Sequence, residues 1–173
     1  MRQETPLWVP PIDWRVLKTF TIPNGFFKSV VLVEKILAQY GMEIFGRALT
    51  MAKKLHFRRF KSYDVDIVMV GITDLGFDEN QEVPFKKIVK EAKRRGLEEC
   101  TPYDAFGIRL AYKEQPPQER CDEYHIVVMR TVNSGMFWIM NDHGHLEICS
   151  IYPHPDTTYN KHSKFFFRLT GKN

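Results

Sequence analysis

Apolar and polar positions alternate with two different periods along this chain, and the change of period divides it. Phe26, Val30, Val33, Ile36, Leu37 and Tyr40 recur at helical spacing. Ser29 or Asn24 suits the cap, and Gly41 suits the stop. Phe45, Ala48, Leu49 and Ala52 form a second helical stripe directly after it. With Gly41 between them, the two stripes predict a helical hairpin. A third helix is predicted after Pro84, which fits a first helical position, with Phe85, Ile88, Val89 and Ala92 as its apolar face and Gly96 as its end.

The remaining pattern is strand-like. Trp14 to Ile22 alternates loosely, and Val65 to Val70 reads as a buried strand. Phe106 to Lys113 separates by parity, with Ile108, Leu110 and Tyr112 on one side and Arg109, Ala111 and Lys113 on the other. Glu123 to Val132, Met136 to Met140, Leu146 to Ile151 and Lys164 to Leu169 complete the strands, and Asn141 to Gly144 carries turn chemistry. Leu55 to Ser62 reads as a loop or an edge strand. Residues 1–13 hold three prolines and little periodicity, which predicts an extended arm. The expected architecture is therefore α+β: a helical hairpin and one further helix on a mostly antiparallel sheet, forming one domain over residues 14–173.

Several motifs in this pattern resemble a family of small uncharacterised proteins from candidate-phyla bacteria. They are Leu75-Gly76-Phe77, Gly96-Leu97-Glu98 with Cys100 and Pro102, Arg109-Leu110, Tyr112-Lys113-Glu114-Gln115-Pro116, and Glu123 with Met129. The similarity runs more weakly from about Trp14 to the final strand. It implies one fold unit after the arm, and no activity, cofactor or partner. The family's acidic, Gly-rich C-terminal half is replaced here by a segment with His143, His145, His154 and His162. No site built from those histidines is implied by the resemblance.

Charge sharpens the picture locally. The net charge is only +4, yet Arg47, Lys53, Lys54, Arg58, Arg59 and Lys61 follow one another with no acid among them. Interleaved with His56, Phe57 and Phe60, this run is the strongest nucleic-acid signal, because phosphates need clustered cations and rings stack on unpaired bases. A solvated helix end with core aromatics explains the same residues. Arg109, Lys113 and Gln115 form a second candidate, an anion-receiving strand face. A solvated face would look the same.

His143 and His145, two apart beside a turn, are candidate metal ligands, and Glu147 follows them. Turn chemistry alone accounts for them as well. A phosphodiesterase would use such imidazoles as acid and base, with Lys113 or Arg130 on the phosphate. His125 more simply reads as a sheet residue. Cys100 lacks a neighbouring base and reads as a structural thiol. No phosphate-loop, dinucleotide or nucleophile-elbow glycine motif is present.

Three widely spaced cysteines predict no disulfide framework. The first residues lack the apolar core of a secretion signal, and no apolar run reaches membrane-spanning length. The expected setting is cytoplasmic, with no membrane partner and no cofactor. The leading expectation is a non-enzymatic binding or adaptor protein for an acidic partner, nucleic acid first. A metal- or His-dependent phosphodiesterase and a protein-interaction module or inhibitor are the alternatives. Oligomeric state is not legible.

Overall fold

The computed structural model describes residues 16–22, 28–57 and 63–169, with only the backbone path given for 16–22 and residue 63. The expected arm at residues 1–13 and most of the Leu55 to Ser62 segment lie outside the described residues. Among the described residues, four helices pack on an eight-stranded mixed sheet, so the architecture is α+β.

The chain begins with strand β1 (Val16–Ile22) and helix α1 (Val30–Gln39). Ser29 caps α1, its hydroxyl accepting from the Leu32 amide at 3.2 Å, and Val33 and Leu37 are buried one turn apart. Gly41, with φ of +69°, ends the helix. Helix α2 (Arg47–Ala52) follows, but a short strand, β2 (Met42–Ile44), separates it from α1. The expected hairpin is thus interrupted. Met42 and Ile44 are buried while Glu43 is exposed, a period-two pattern too short to register against the flanking helical stripes.

Strand β3 (Tyr63–Val70) and the short strand β4 (Val83–Pro84) lead into helix α3 (Phe85–Arg94). Phe85, Ile88 and Ala92 are its buried stripe, and Lys93 and Arg94 sit in the last turn, where cations oppose the helix dipole. A two-residue strand, β5 (Leu97–Glu98), then precedes helix α4 (Pro102–Ala111).

Helix α4 overturns the strand expected over Phe106 to Lys113. Its start is specified by Thr101, by Pro102 in the first turn, and by Asp104, whose Oδ2 accepts the Thr101 amide at 2.6 Å. Asp104 through Arg109 are all buried. A helix covered on every side has no amphipathic stripe, so its periodicity is uninformative.

The last strands are β6 (His125–Val127), β7 (Met136–Asp142), β8 (His145–Ile151), β9 (Thr158–Tyr159) and β10 (Lys164–Leu169). In the main sheet the order is β1-β3-β10-β6-β7-β8-β2, and β5 pairs with the end of β10. β10 runs antiparallel to β3 and parallel to β6, and β2 lies parallel to β8 at one edge. β4 and β9 form a separate two-stranded ribbon.

The central strand β10 is buried on both faces. Phe165 meets Phe85 of α3 and Tyr159 of β9, while Phe166 meets Tyr112 and His125. Alternation along the strand therefore places α3 on one face of the sheet and the C-terminal end of α4 on the other. β7 repeats this division. Phe137 packs on Phe106 of α4, and Trp138 packs on Tyr124, whose ring meets Tyr159. Helix α2 shares the α4 side: Met51 Sδ lies 2.7 Å from the point a Cβ on Gly135 would occupy, so a larger residue there would have to push the end of the Met51 side chain aside.

Candidate functional site

Helix α3 buries its apolar stripe and turns Lys86, Lys87, Lys90, Lys93 and Arg94 outward. Three of these cations have partners in the same molecule. Lys86 meets Asp156 at 2.5 Å, Lys93 meets Glu99 at 2.7 Å, and Arg94 meets Glu91 at 2.7 Å. Hydrogen bonding to Arg94, aided by Arg95, holds the Glu91 carboxyl down at about 2 against a smaller upward push from burial. Lys86 similarly holds Asp156 below the usual carboxylate range. Among the described residues, Lys87 and Lys90 have no anionic partner.

A groove of about 450 Å³ runs beside this helix. Its floor is apolar, made by Phe85, Val89, Met136, Pro153 and Pro155, while Lys86, Lys90 and Lys93 stand along one rim. Backbone hydrogen bonds fix the far wall to α3: the Phe85 amide donates to Thr157 O at 2.8 Å and the Lys86 amide to Pro155 O at 3.0 Å. These contacts satisfy first-turn amides that the helix itself leaves unpaired. Beyond Lys93 lies a second recess, lined by Leu97, Glu98 and Glu99. Its two carboxylates bound the cationic surface on that side.

The predicted cationic run is only partly placed. Arg47 lies over the Tyr152 ring at 4.0 Å, and Lys53 and Lys54 are exposed at the end of α2. Arg58, Arg59 and Lys61 lie outside the described residues.

Arg109, Lys113 and Gln115 do not form a receiving face. Arg109 belongs to α4 and is fully buried, Gln115 is 5% exposed, and Lys113 is exposed with its ammonium 3.8 Å from the Tyr40 ring. The helix, rather than a strand, sets these directions. Arg109 Nη1 donates to Gln115 Oε1 at 2.5 Å and to Met140 O at 3.1 Å, and Nη2 donates to Tyr112 O. Its Nε has no partner. Burial pulls the guanidinium down to about 10, still charged at neutral pH.

This arrangement fixes the protonation of His125. Arginine only donates, so the Gln115 oxygen must face it and the Gln115 amide nitrogen must face His125. That nitrogen lies 3.1 Å from His125 Nδ1, which therefore accepts, leaving the proton on Nε2 toward Glu123 Oε1 at 3.4 Å. Burial lowers the His125 pKa, with Lys164 and Arg109 adding to the effect and Glu123 opposing it. Gln115 Nε2 also donates to Ile139 O, and Asn141 Nδ2 donates to Gln115 O at 2.5 Å. The cluster clamps the loop after α4 onto β6 and β7.

No protein-family model, curated protein or solved structure matches this chain. The function must be read from the surface itself.

His143 and His145 are not brought together over a cavity. Asp142 pairs with His145, which makes His143 and Gly144 the two turn residues, both with positive φ. The His143 side chain is 88% exposed, with Nδ1 2.7 Å from Asp142 Oδ1. Among the described residues, no three His, Cys, Asp or Glu side chains are grouped to hold a metal ion. Cys100 is buried beside the start of α4, and burial raises its pKa well above the ordinary thiol range. Burial, aided by a 3.4 Å hydrogen bond to Glu147, pushes Cys149 up to about 12, while Cys121 is exposed. Among the described residues, no helix is long and apolar enough to cross a membrane.

The sequence carried one signal for the groove that the cationic run obscured. Between Lys86 and Arg95 there are six cations and one acid, Glu91, on a helix with a clear apolar stripe.

Proposed function

We propose that this protein is a non-enzymatic binding module for an acidic partner, and that the partner docks on the outward face of α3. One observation carries this reading: among the described residues, Lys87 and Lys90 stand without carboxylate partners in a row of exposed cations along a single helix. Sequestered cations are ordinarily balanced nearby, whereas cations left on one rigid face hold a standing positive potential. The groove beside them supplies concave apolar surface, the usual companion of a specific contact.

Nucleic acid was the first acidic partner expected from sequence. The part of the Arg47 to Lys61 run within the described residues gives it little support. Arg47 is exposed but stacked on Tyr152, which leaves Lys53 and Lys54 as the unengaged exposed cations of the run among the described residues. The α3 face therefore carries the proposal.

The test is fluorescence anisotropy with polyglutamate and with a single-stranded oligonucleotide, titrated at rising salt. The expected result is binding to at least one polyanion that weakens steeply with salt. A Lys87→Gln/Lys90→Gln variant should lose most of it, and both side chains are exposed, so the fold is spared. Absence of binding to either polyanion at low salt would refute the reading.

A further inference from the structure

We infer that the groove between α3 and the 153–155 segment receives an acidic peptide segment anchored by one aliphatic side chain. This rests on the proposed acidic-partner reading and names the class of partner. Phe85, Val89, Met136, Pro153 and Pro155 offer no hydrogen-bonding group on their side chains, so the floor rewards only an apolar occupant. The Thr131 hydroxyl is the one neutral polar side chain on its lining. A phosphate backbone gains nothing from such a floor. A nucleobase would bury several donors and acceptors against it unpaired, which is costly. It would also lack a stacking platform, because Phe85 is only 7% exposed. An aliphatic side chain has neither problem.

The rim specifies the charge. Lys86, Lys90 and Lys93 are spaced by four and three residues, so they form one row along α3 about 10 Å long. The two ends of that row are already met by carboxylates of this chain, Asp156 at Lys86 and Glu99 at Lys93. Both pairs are solvent-exposed, so each is weakly held and exchangeable. Asp156 and Glu99 thus mark where a partner's acids sit, on either side of the unpaired Lys90. A peptide with acids flanking one leucine-sized residue satisfies the rim and the floor together. A peptide also suits the scale, since a groove of about 450 Å³ holds one or two side chains. Asp156 competes for the same cation as the partner, which makes it a built-in restraint on binding.

The experiment uses the full chain and a short fluorescent peptide with one leucine flanked on both sides by glutamates. A serine-for-leucine peptide of equal charge and a single-stranded oligonucleotide serve as comparisons. The leucine peptide should bind roughly tenfold or more tightly than the serine peptide, the worth of one buried aliphatic side chain. Lys90→Glu should weaken it by roughly tenfold. Asp156→Asn should tighten it by roughly two- to fivefold by releasing Lys86. That gain cannot arise from a damaged fold. If leucine and serine peptides bind alike and both respond to salt, the cationic face stands and the groove inference falls. If the oligonucleotide binds more tightly and displaces the peptide, the partner is a nucleic acid and the inference is overturned. If none of the three binds at low salt, both readings fail together.

Discussion

Arg109 has exchanged water for three oxygen acceptors and keeps its charge with no carboxylate in an ion pair among the described residues. Those oxygens belong to Gln115, Met140 and Tyr112, so the side chain ties the end of α4 to β7 and to the following loop. Replacing it with alanine leaves a cavity and strands buried acceptors. Arg109→Ala should cost about 3–5 kcal/mol, read from the urea midpoint. A loss below about 1 kcal/mol would show that water takes over the contacts.

His125 adds a pH dependence with a definite sign. Its folded pKa lies below its ordinary 6.5, so the unfolded chain takes up the proton first on acidification. Stability is fully present above that ordinary value and declines as pH falls through it, flattening below the folded pKa. Groups facing the ring are Gln115, Tyr112, Glu123, Lys164 and Arg109. Denaturation at several pH values should show this decline, and His125→Gln should remove it. A wild-type curve unchanged across that range would contradict the assignment.

At the scale of elements, α4 shows where sequence reading succeeds and fails. Phe106 to Lys113 alternates well enough to mimic a strand, and its burial on all sides removes the helical stripe that would have corrected it. The capping residues Thr101, Pro102 and Asp104 were the better guide, because a helix start is written locally whereas its burial is not. Helix α3 was legible for the opposite reason. One side is exposed, so apolar and cationic positions separate cleanly. The groove was not legible, because Met136, Pro153 and Pro155 reach α3 only through the fold. Asp104 also joins α4 to β10: Arg168 Nε and Nη2 donate to its two oxygens at 2.6 and 2.8 Å, with Asp104 fully buried. Asp104→Asn keeps an oxygen for the Thr101 amide but halves the fork. It should cost roughly 2–4 kcal/mol by thermal or chemical denaturation.

For the whole molecule, the sheet order matters more than any strand's sequence. The sequence shows Lys164 to Leu169 as a strand, and the structure adds that its Phe165, Phe166 and Phe167 are buried on both faces. Its neighbours could not be read, because β10 pairs with strands far apart in the chain. Hydrogen exchange should find the β10 amides among the last to open, and the edge strand β2 among the first. Comparable protection in both would mean that the sheet does not open from its edge.

The two faces of that sheet carry separate tasks. The Arg109 and His125 cluster lies on the α4 side, while Lys90, Val89 and Pro155 lie on the α3 side. The buried strands between them act as a partition, and energetic effects should not cross it. Changes made to both sides of this molecule should therefore sum, within about 0.5 kcal/mol of simple additivity. The recognition face can then drift toward new partners while the clamp that holds the chain together stays untouched.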